Sequence, residues 1–125
     1  MKERLLAHLR ALIGERHPIT SPRTLSEVEA YLIAQFRQFG CTVATHAFPA
    51  LGGIYKNVIA SLPSQKQASP LIIAAHFDTV EHSPGADDNA SGLAVLLETA
   101  RNLANISLRR PIRFIAFCLE EEDLL

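Results

Sequence analysis

Apolar and polar positions in the first forty residues recur with helical spacing. Over Lys2–Ile13, Leu5, Leu9 and Leu12 fall on one face and Leu6 and Ile13 widen it, which predicts an amphipathic helix. Gly14 and Pro18 end that helix, and the two prolines within His17–Arg23 predict a loop. A second helix is predicted from Thr24 or Ser26 to Phe39. Its buried side is expected to carry Leu25, Val28, Leu32 and Phe36, together with Ala30 and Phe39, and Gly40 stands where a left-handed cap would close it. The pattern then switches to period two. Cys41–Phe48 and Ile54–Leu62 read as strands across a turn at Leu51-Gly52-Gly53, hence as an antiparallel pair. Pro63–Pro70 is a polar loop. Leu71–His76 is apolar on both faces, as in a covered parallel strand.

Helical spacing returns at Ala90–Ala104, with Leu93, Leu96, Leu97, Ala100 and Leu103 on the core face; Asn105–Pro111 leads back to a strand at Ile112–Cys118. Strand, helix and strand from Leu71 to Cys118 form a βαβ unit, so the two strands should be parallel with a right-handed crossover. The fold class is therefore α/β: a mixed, mostly parallel sheet flanked by helices, in one domain over residues 1–125.

Composition narrows the picture. The chain has 125 residues, 48% hydrophobic and 20% charged, enough for a real core and far from disorder. Lys+Arg 12 against Asp+Glu 13 gives a net charge of −1, so neither a nucleic acid nor an anionic membrane is an expected partner. His8 and Arg10 interrupt the apolar residues of the N-terminus, which is not the pattern of a signal peptide, and no stretch is apolar for long enough to span a membrane. Of the two cysteines, Cys41 and Cys118, the latter lies in an apolar run that suits a free buried thiol. A cytoplasmic location is the expectation.

The candidate chemistry gathers where ligands bind in open α/β sheets, beyond the carboxyl ends of the strands. His76 and Asp78 follow one strand, two apart, so both side chains point the same way if the strand geometry persists. Asp78 could accept from the second ring nitrogen of His76, fixing its tautomer. Asp87 and Asp88 stand at a helix start. One acid there suffices for an N-cap and the helix dipole; the second repels the first and wants a cation. A charge run is usually a solvated face, but Glu120-Glu121-Glu122-Asp123 begins abruptly after the apolar run ending at Leu119, so at least one of these acids is close to the sheet's end. One imidazole nitrogen and several carboxylate oxygens suit zinc in an open, catalytic site.

The stretches Ala75-His76-Phe77-Asp78-Thr79, Pro84-Gly85-Ala86-Asp87-Asp88-Asn89-Ala90-Ser91-Gly92 and Glu120-Glu121 resemble the zinc aminopeptidases of metallopeptidase family twenty-eight. The resemblance implies a phosphorylase/hydrolase-like zinc exopeptidase fold and two zinc ions in the intact site. His76 would bind one zinc, Asp88 would bridge both ahead of a cis peptide to Asn89, and Glu121 would bind the other. Glu120 would be the general base and Asp78 the partner of His76. The implied reaction is hydrolysis at a peptide's free N-terminus, by water activated between the metals. The family's further aspartate and histidine ligands lie later than residue 125, and Asp123 stands where the family has glycine. The chain is expected to be an incomplete or inactive piece of such an enzyme, or one completed by another chain.

Two other readings are a non-catalytic binding module and a glutaminyl cyclase-like acyltransferase, which shares the fold but does not need His76. The Leu71–Ala75 strand would present an open sheet edge, which invites self-association. His46 and His82 are the local stand-ins for the missing histidine, and His82 reads better as an exposed loop residue.

Overall fold

The period-two stretch after Gly40 folds as its spacing predicts. In a computed structural model that describes residues 1–123, β1 (Thr42–Ala50) pairs antiparallel with β2 (Gly53–Leu62), in register from Thr42↔Ser61 to Ala50↔Gly53. Leu51 and Gly52 make the turn with φ of 49° and 76°. Two positive φ values give the hairpin the twist of its strands. β2 also pairs antiparallel with β4 (Ile112–Phe117), and β4 pairs parallel with β3 (Leu71–His76). The order is β1-β2-β4-β3. The sheet is mixed, as expected. "Mostly parallel" does not describe these strands, because parallel pairing is confined to β3 and β4 while β2 runs against both of its neighbours.

The βαβ unit sets the functional end of the molecule. β3 and β4 stay in register to His76↔Phe117, so both strands finish side by side. The connecting helix α3 (Gly92–Leu103) starts later than its apolar spacing suggests, because Ala86–Ser91 winds as a wide turn in which the Ala90 N–H reaches back to the Gly85 carbonyl at 2.9 Å.

Helix α2 (Pro22–Gln38) and α3 lie against the sheet, and helix α1 (Lys2–Leu12) packs on α3, α2 and the wide turn. α2 begins ahead of Thr24 because Pro22, with its fixed φ and no N–H, suits the first helical position. Its end follows the prediction. Gly40 has φ +96°, the Gly40 N–H reaches Arg37 O and the Cys41 N–H reaches Phe36 O, both at 3.0 Å, so the last carbonyls are satisfied. Leu32, Phe36, Val58, Leu93 and Phe114 are fully buried or nearly so in the shared core. The rings of Phe36 and Phe114 stack at 6.0 Å.

The helix faces differ from the apolar spacing in particular places. Leu6 and Ile13 are exposed, and α1 turns His8 inward beside Leu12. Ala30 is exposed on α2. On β3, Leu71 is 44% and Ile72 55% exposed, so this strand is not covered on both faces. The reason is its place at the sheet's edge, where a groove of about 440 Å3 runs between β3 and α3, lined by Ile73, Ala75, Val95 and Thr99. Among the described residues no helix is long and apolar enough to cross a membrane.

Candidate metal centre

The β3–β4 ladder runs one residue beyond the strands, the Phe77 N–H donating to the Phe117 carbonyl at 2.9 Å. That fixes His76 at the mouth of the sheet with its side chain 13% exposed. Its Nδ1 lies 3.1 Å from the carbonyl oxygen of Asp78. A carbonyl can only accept, so Nδ1 carries a proton and Nε2 is the ring atom turned toward the acids. Nε2 faces Asp88 Oδ1 at 2.9 Å, Glu120 Oε2 at 3.7 Å and Glu121 Oε1 at 3.8 Å. Ligand atoms of His76, Glu120 and Glu121 all fall within 4.8 Å of one another. Acceptors crowding one ring nitrogen are held together by a cation, either a proton on the ring or a metal ion among them.

Asp78 acts differently from the sequence expectation. Its carboxylate is fully buried and accepts the backbone N–H groups of Glu120 and Glu121, both at 3.0 Å. Its Oδ1 is 3.5 Å from His76 Nδ1, so the ring's close partner is the backbone carbonyl of Asp78 and the carboxylate is a peg for the acid-bearing loop. The buried carboxylate thus ties the acid-bearing loop to the end of β3. Two further devices shape that loop. Asn57 on β2 accepts the Cys118 N–H at 2.8 Å, and Leu119 takes φ +64°, a left-handed conformation that costs a branched side chain about 1 kcal/mol or more. The loop thus doubles back over the strand ends.

Asp88 projects from the wide turn and is 68% exposed, and its peptide bond to Asn89 is cis, as the resemblance implies. Asp87 is exposed and makes no side-chain cap, although its carbonyl accepts from Ser91 Oγ at 2.8 Å. The adjacent acids therefore do not serve as a helix cap. Burial, followed by the hydrogen bond and charge of Asp88, raises the Glu121 carboxyl above its ordinary range. Glu122 faces away from His76 and meets His17 Nε2 at 3.2 Å. His82 is an exposed loop residue with φ +65°, and His46 lies on β1 at the other edge of the sheet from β3, so neither joins the cluster. Both cysteines are unpaired and buried; burial, first, and nearby Asp78 push the Cys118 thiol up to about 12, which keeps it out of the chemistry.

Sequence reasoning missed Arg16. Its side chain is fully buried beneath the metal loop and donates to the carbonyls of Phe77 at 2.7 Å, Gly14 at 2.6 Å, Gly85 at 3.1 Å and Leu12. Gly85 is held at φ +60°, and a Cβ there would collide with Thr79 and the Arg16 guanidinium. Burial lowers the Arg16 pKa, opposed by the charges of Asp78 and Asp88. Arg16 carries no periodic signal, because it lies between a helix end and a proline. Its neighbours in the sequence give no hint that five carbonyls, that of Pro84 among them, converge on it.

One nitrogen and several carboxylate oxygens around a partly open point form a donor set that fits zinc. The sequence signature of peptidase family M28 matches residues 57–125. The chain is 33% identical over 129 residues to the protein YfbL of Escherichia coli, covering 95% of this chain and 40% of that one. It is 48% identical over 60 residues to aminopeptidase YwaD of Bacillus subtilis, covering 48% of this chain and 13% of that enzyme. Among solved structures, the glutaminyl cyclase of Macrostomum lignano superposes with a TM-score of 0.78 at 28% identity, over 94% of this chain and 38% of that one. The chain thus spans less than half the length of each.

Proposed function

This chain belongs to peptidase family M28, and we propose that it carries the first half of a zinc aminopeptidase site that removes N-terminal residues from peptides. The observation that carries the proposal is the imidazole Nε2 of His76 held within 4 Å of three separate carboxylates. His76, Asp88 and Glu121 would hold the metal, with two zinc ions in the complete site. Zinc bound there supplies Lewis-acid polarisation and a water of lowered pKa.

The chain's own residues do the rest. Glu120 is 57% exposed against 20% for Glu121, and its carboxylate faces the same point. It takes a proton from the attacking water as the new C–O bond forms, then returns one to the amine nitrogen as the C–N bond breaks. Asp78 holds the backbone of both glutamates so that base and ligand keep their spacing. Acids around the point favour a substrate that presents a protonated amine, which is the chemistry of a free peptide N-terminus. The open edge of β3 is the surface we expect to pair with a further strand or a second copy.

The test is hydrolysis of an aminoacyl-nitroanilide by the zinc-loaded chain. Glu120→Gln is expected to lower turnover by about 10²–10⁴-fold with zinc affinity kept. Equal turnover in the variant would sink the role of Glu120. The likeness to a glutaminyl cyclase supplies a second reading. Ammonia release from a glutaminyl peptide without chain cleavage would favour it, and the engagement of His76 with Asp88 speaks for the peptidase.

A further inference from the structure

We propose that Arg16 and His17 are positioning residues for the metal centre: consecutive side chains that clamp the two ligand-bearing loops to the segment between α1 and α2. The inference rests on the metal-centre reading above.

The Arg16 arm holds the loop of Asp88. Backbone and side chain are both engaged. The Arg16 N–H donates to Thr79 Oγ1 at 2.9 Å and the Thr79 N–H returns to the Arg16 carbonyl at 3.0 Å, so residues 16 and 79 hold each other by one side-chain and one backbone bond. The Gly14 N–H donates to the Pro84 carbonyl at 2.8 Å. The guanidinium then reaches Phe77 O on one side of the loop and Gly85 O on the other. Phe77 adjoins His76, and Gly85 precedes the turn that carries Asp88. One planar fork therefore sets the distance between the two places from which the imidazole and the Asp88 carboxylate project. A lysine could supply the charge but not the fork.

The His17 arm holds the loop of Glu120 and Glu121. Nδ1 of His17 accepts the N–H groups of Ile19 at 3.1 Å and Thr20 at 3.2 Å. The ring proton is therefore on Nε2, which donates to Glu122 Oε1 at 3.2 Å. Both side chains are largely covered, at 14% and 22% exposure. Glu122 immediately follows the two glutamates that face His76. Asp78 grips the start of this loop through the N–H groups of residues 120 and 121, and His17 grips its far side. Neither Arg16 nor His17 is among the groups that face the metal point.

Zinc titration calorimetry on the full chain, with amide hydrogen exchange on the metal-free protein, tests the clamp. His17→Asn keeps an acceptor near the Nδ1 position and loses the donor to Glu122. It is expected to weaken zinc about 10-fold or more, in the range found for residues that orient metal ligands. His17→Gln restores a donor near the Nε2 position and is expected to recover most of that loss. Arg16→Lys is expected to weaken zinc at least as much and to speed exchange at the Thr79 and Ala90 amides, with the Leu32 and Phe36 amides of α2 unchanged. Unaltered zinc affinity in folded Arg16→Lys and His17→Asn would overturn the clamp, as would a loss in His17→Gln as large as or larger than that in His17→Asn, because the donor to Glu122 would then not be what the metal centre depends on. If Arg16→Lys does not fold, the two His17 variants decide. No zinc binding by the unaltered chain would instead sink the metal-centre reading, and this assignment with it.

Discussion

Around His8, a lone buried carboxylate, Glu98, faces Arg4 at 2.8 Å, Arg101 at 3.0 Å and the imidazole at 3.7 Å. Around His76 the ratio is inverted: one imidazole faces Asp88, Glu120 and Glu121. Both clusters are histidine–carboxylate assemblies, the first between helix faces and the second at strand ends. The first is complete in itself. Tyr31 O–H donates to His8 Nδ1 at 2.7 Å, Glu98 is 3% exposed, and Arg4 and Arg101 fill its oxygens. The second has acids to spare. A cluster whose buried acid is fully paired serves the fold, whereas one with surplus acid at an open point is suited to receive a cation.

The widest separation between the two clusters should appear on removing one member of each. His76→Ala is expected to weaken zinc by about 100-fold or more, beyond what an orienting residue costs, and to leave the melting temperature in EDTA nearly unchanged. Glu98→Ala is expected to do the reverse. It strands two guanidiniums and a buried ring, and since both arginines can reach solvent the cost is about 2 kcal/mol of folding stability. Calorimetric zinc titration and thermal unfolding of the same samples measure both quantities. A Glu98→Ala protein that binds zinc weakly would erase the distinction.

Acidification should act on the helical cluster by less than that deletion, because it neutralises a charge without removing contacts. Burial pushes the Glu98 carboxyl up, but hydrogen bonds from Arg101 and Arg4 outweigh it and hold the group below its ordinary value of 4.5. Burial depresses His8 below 6.5, against the pull of Glu98. Both groups then bind protons more readily in the unfolded chain. Their stabilisation is present at neutral pH, begins to fail as pH falls through the ordinary imidazole range for His8, and fails further through the lowered value of Glu98. The groups that face this cluster are Arg4 and His8 from α1, Tyr31 from α2 and Arg101 from α3. His8→Phe is expected to remove the upper part of the fall in melting temperature and spare the lower part. An unchanged profile would assign the fall elsewhere.

The contrast also explains what could be read from the chain beforehand. The helices, the hairpin and the βαβ unit were legible because apolar spacing is imposed by one shared core, as Leu25, Val28, Leu32 and Phe36 show on α2. His76, Asp88, Glu120 and Glu121 were legible because acids placed at strand and helix ends need a reason beyond folding. His8 and Glu98 were not, since a polar residue on an apolar face looks like a break in the stripe until its partners on two other helices are known. Arg16 was hidden for a related reason. All its side-chain acceptors are backbone carbonyls, and carbonyls leave no mark in a sequence. The role of Asp78 was half legible: the residue was visible, but its choice of two backbone N–H groups over the imidazole depended on the Leu119 turn.

The smallest effect is the most discriminating, because its sign differs from ordinary expectation. Removing a charged side chain from an ion pair usually lowers stability. Asp88 is 68% exposed and sits beside Glu120 and Glu121 as well as His76. Its carboxylate joins two others around a single imidazole, so negative charge is in surplus there. Asp88→Asn lifts one negative charge from the cluster. In EDTA the variant is expected to be as stable as the parent or more so, by no more than about 0.5 kcal/mol, the usual limit for an exposed position. With zinc present the order should reverse, because an amide is a poorer zinc ligand than a carboxylate. A stability loss in EDTA comparable to that of Glu98→Ala would mean that Asp88 serves the fold as Glu98 does, and that the surplus acid around His76 is balanced without a metal.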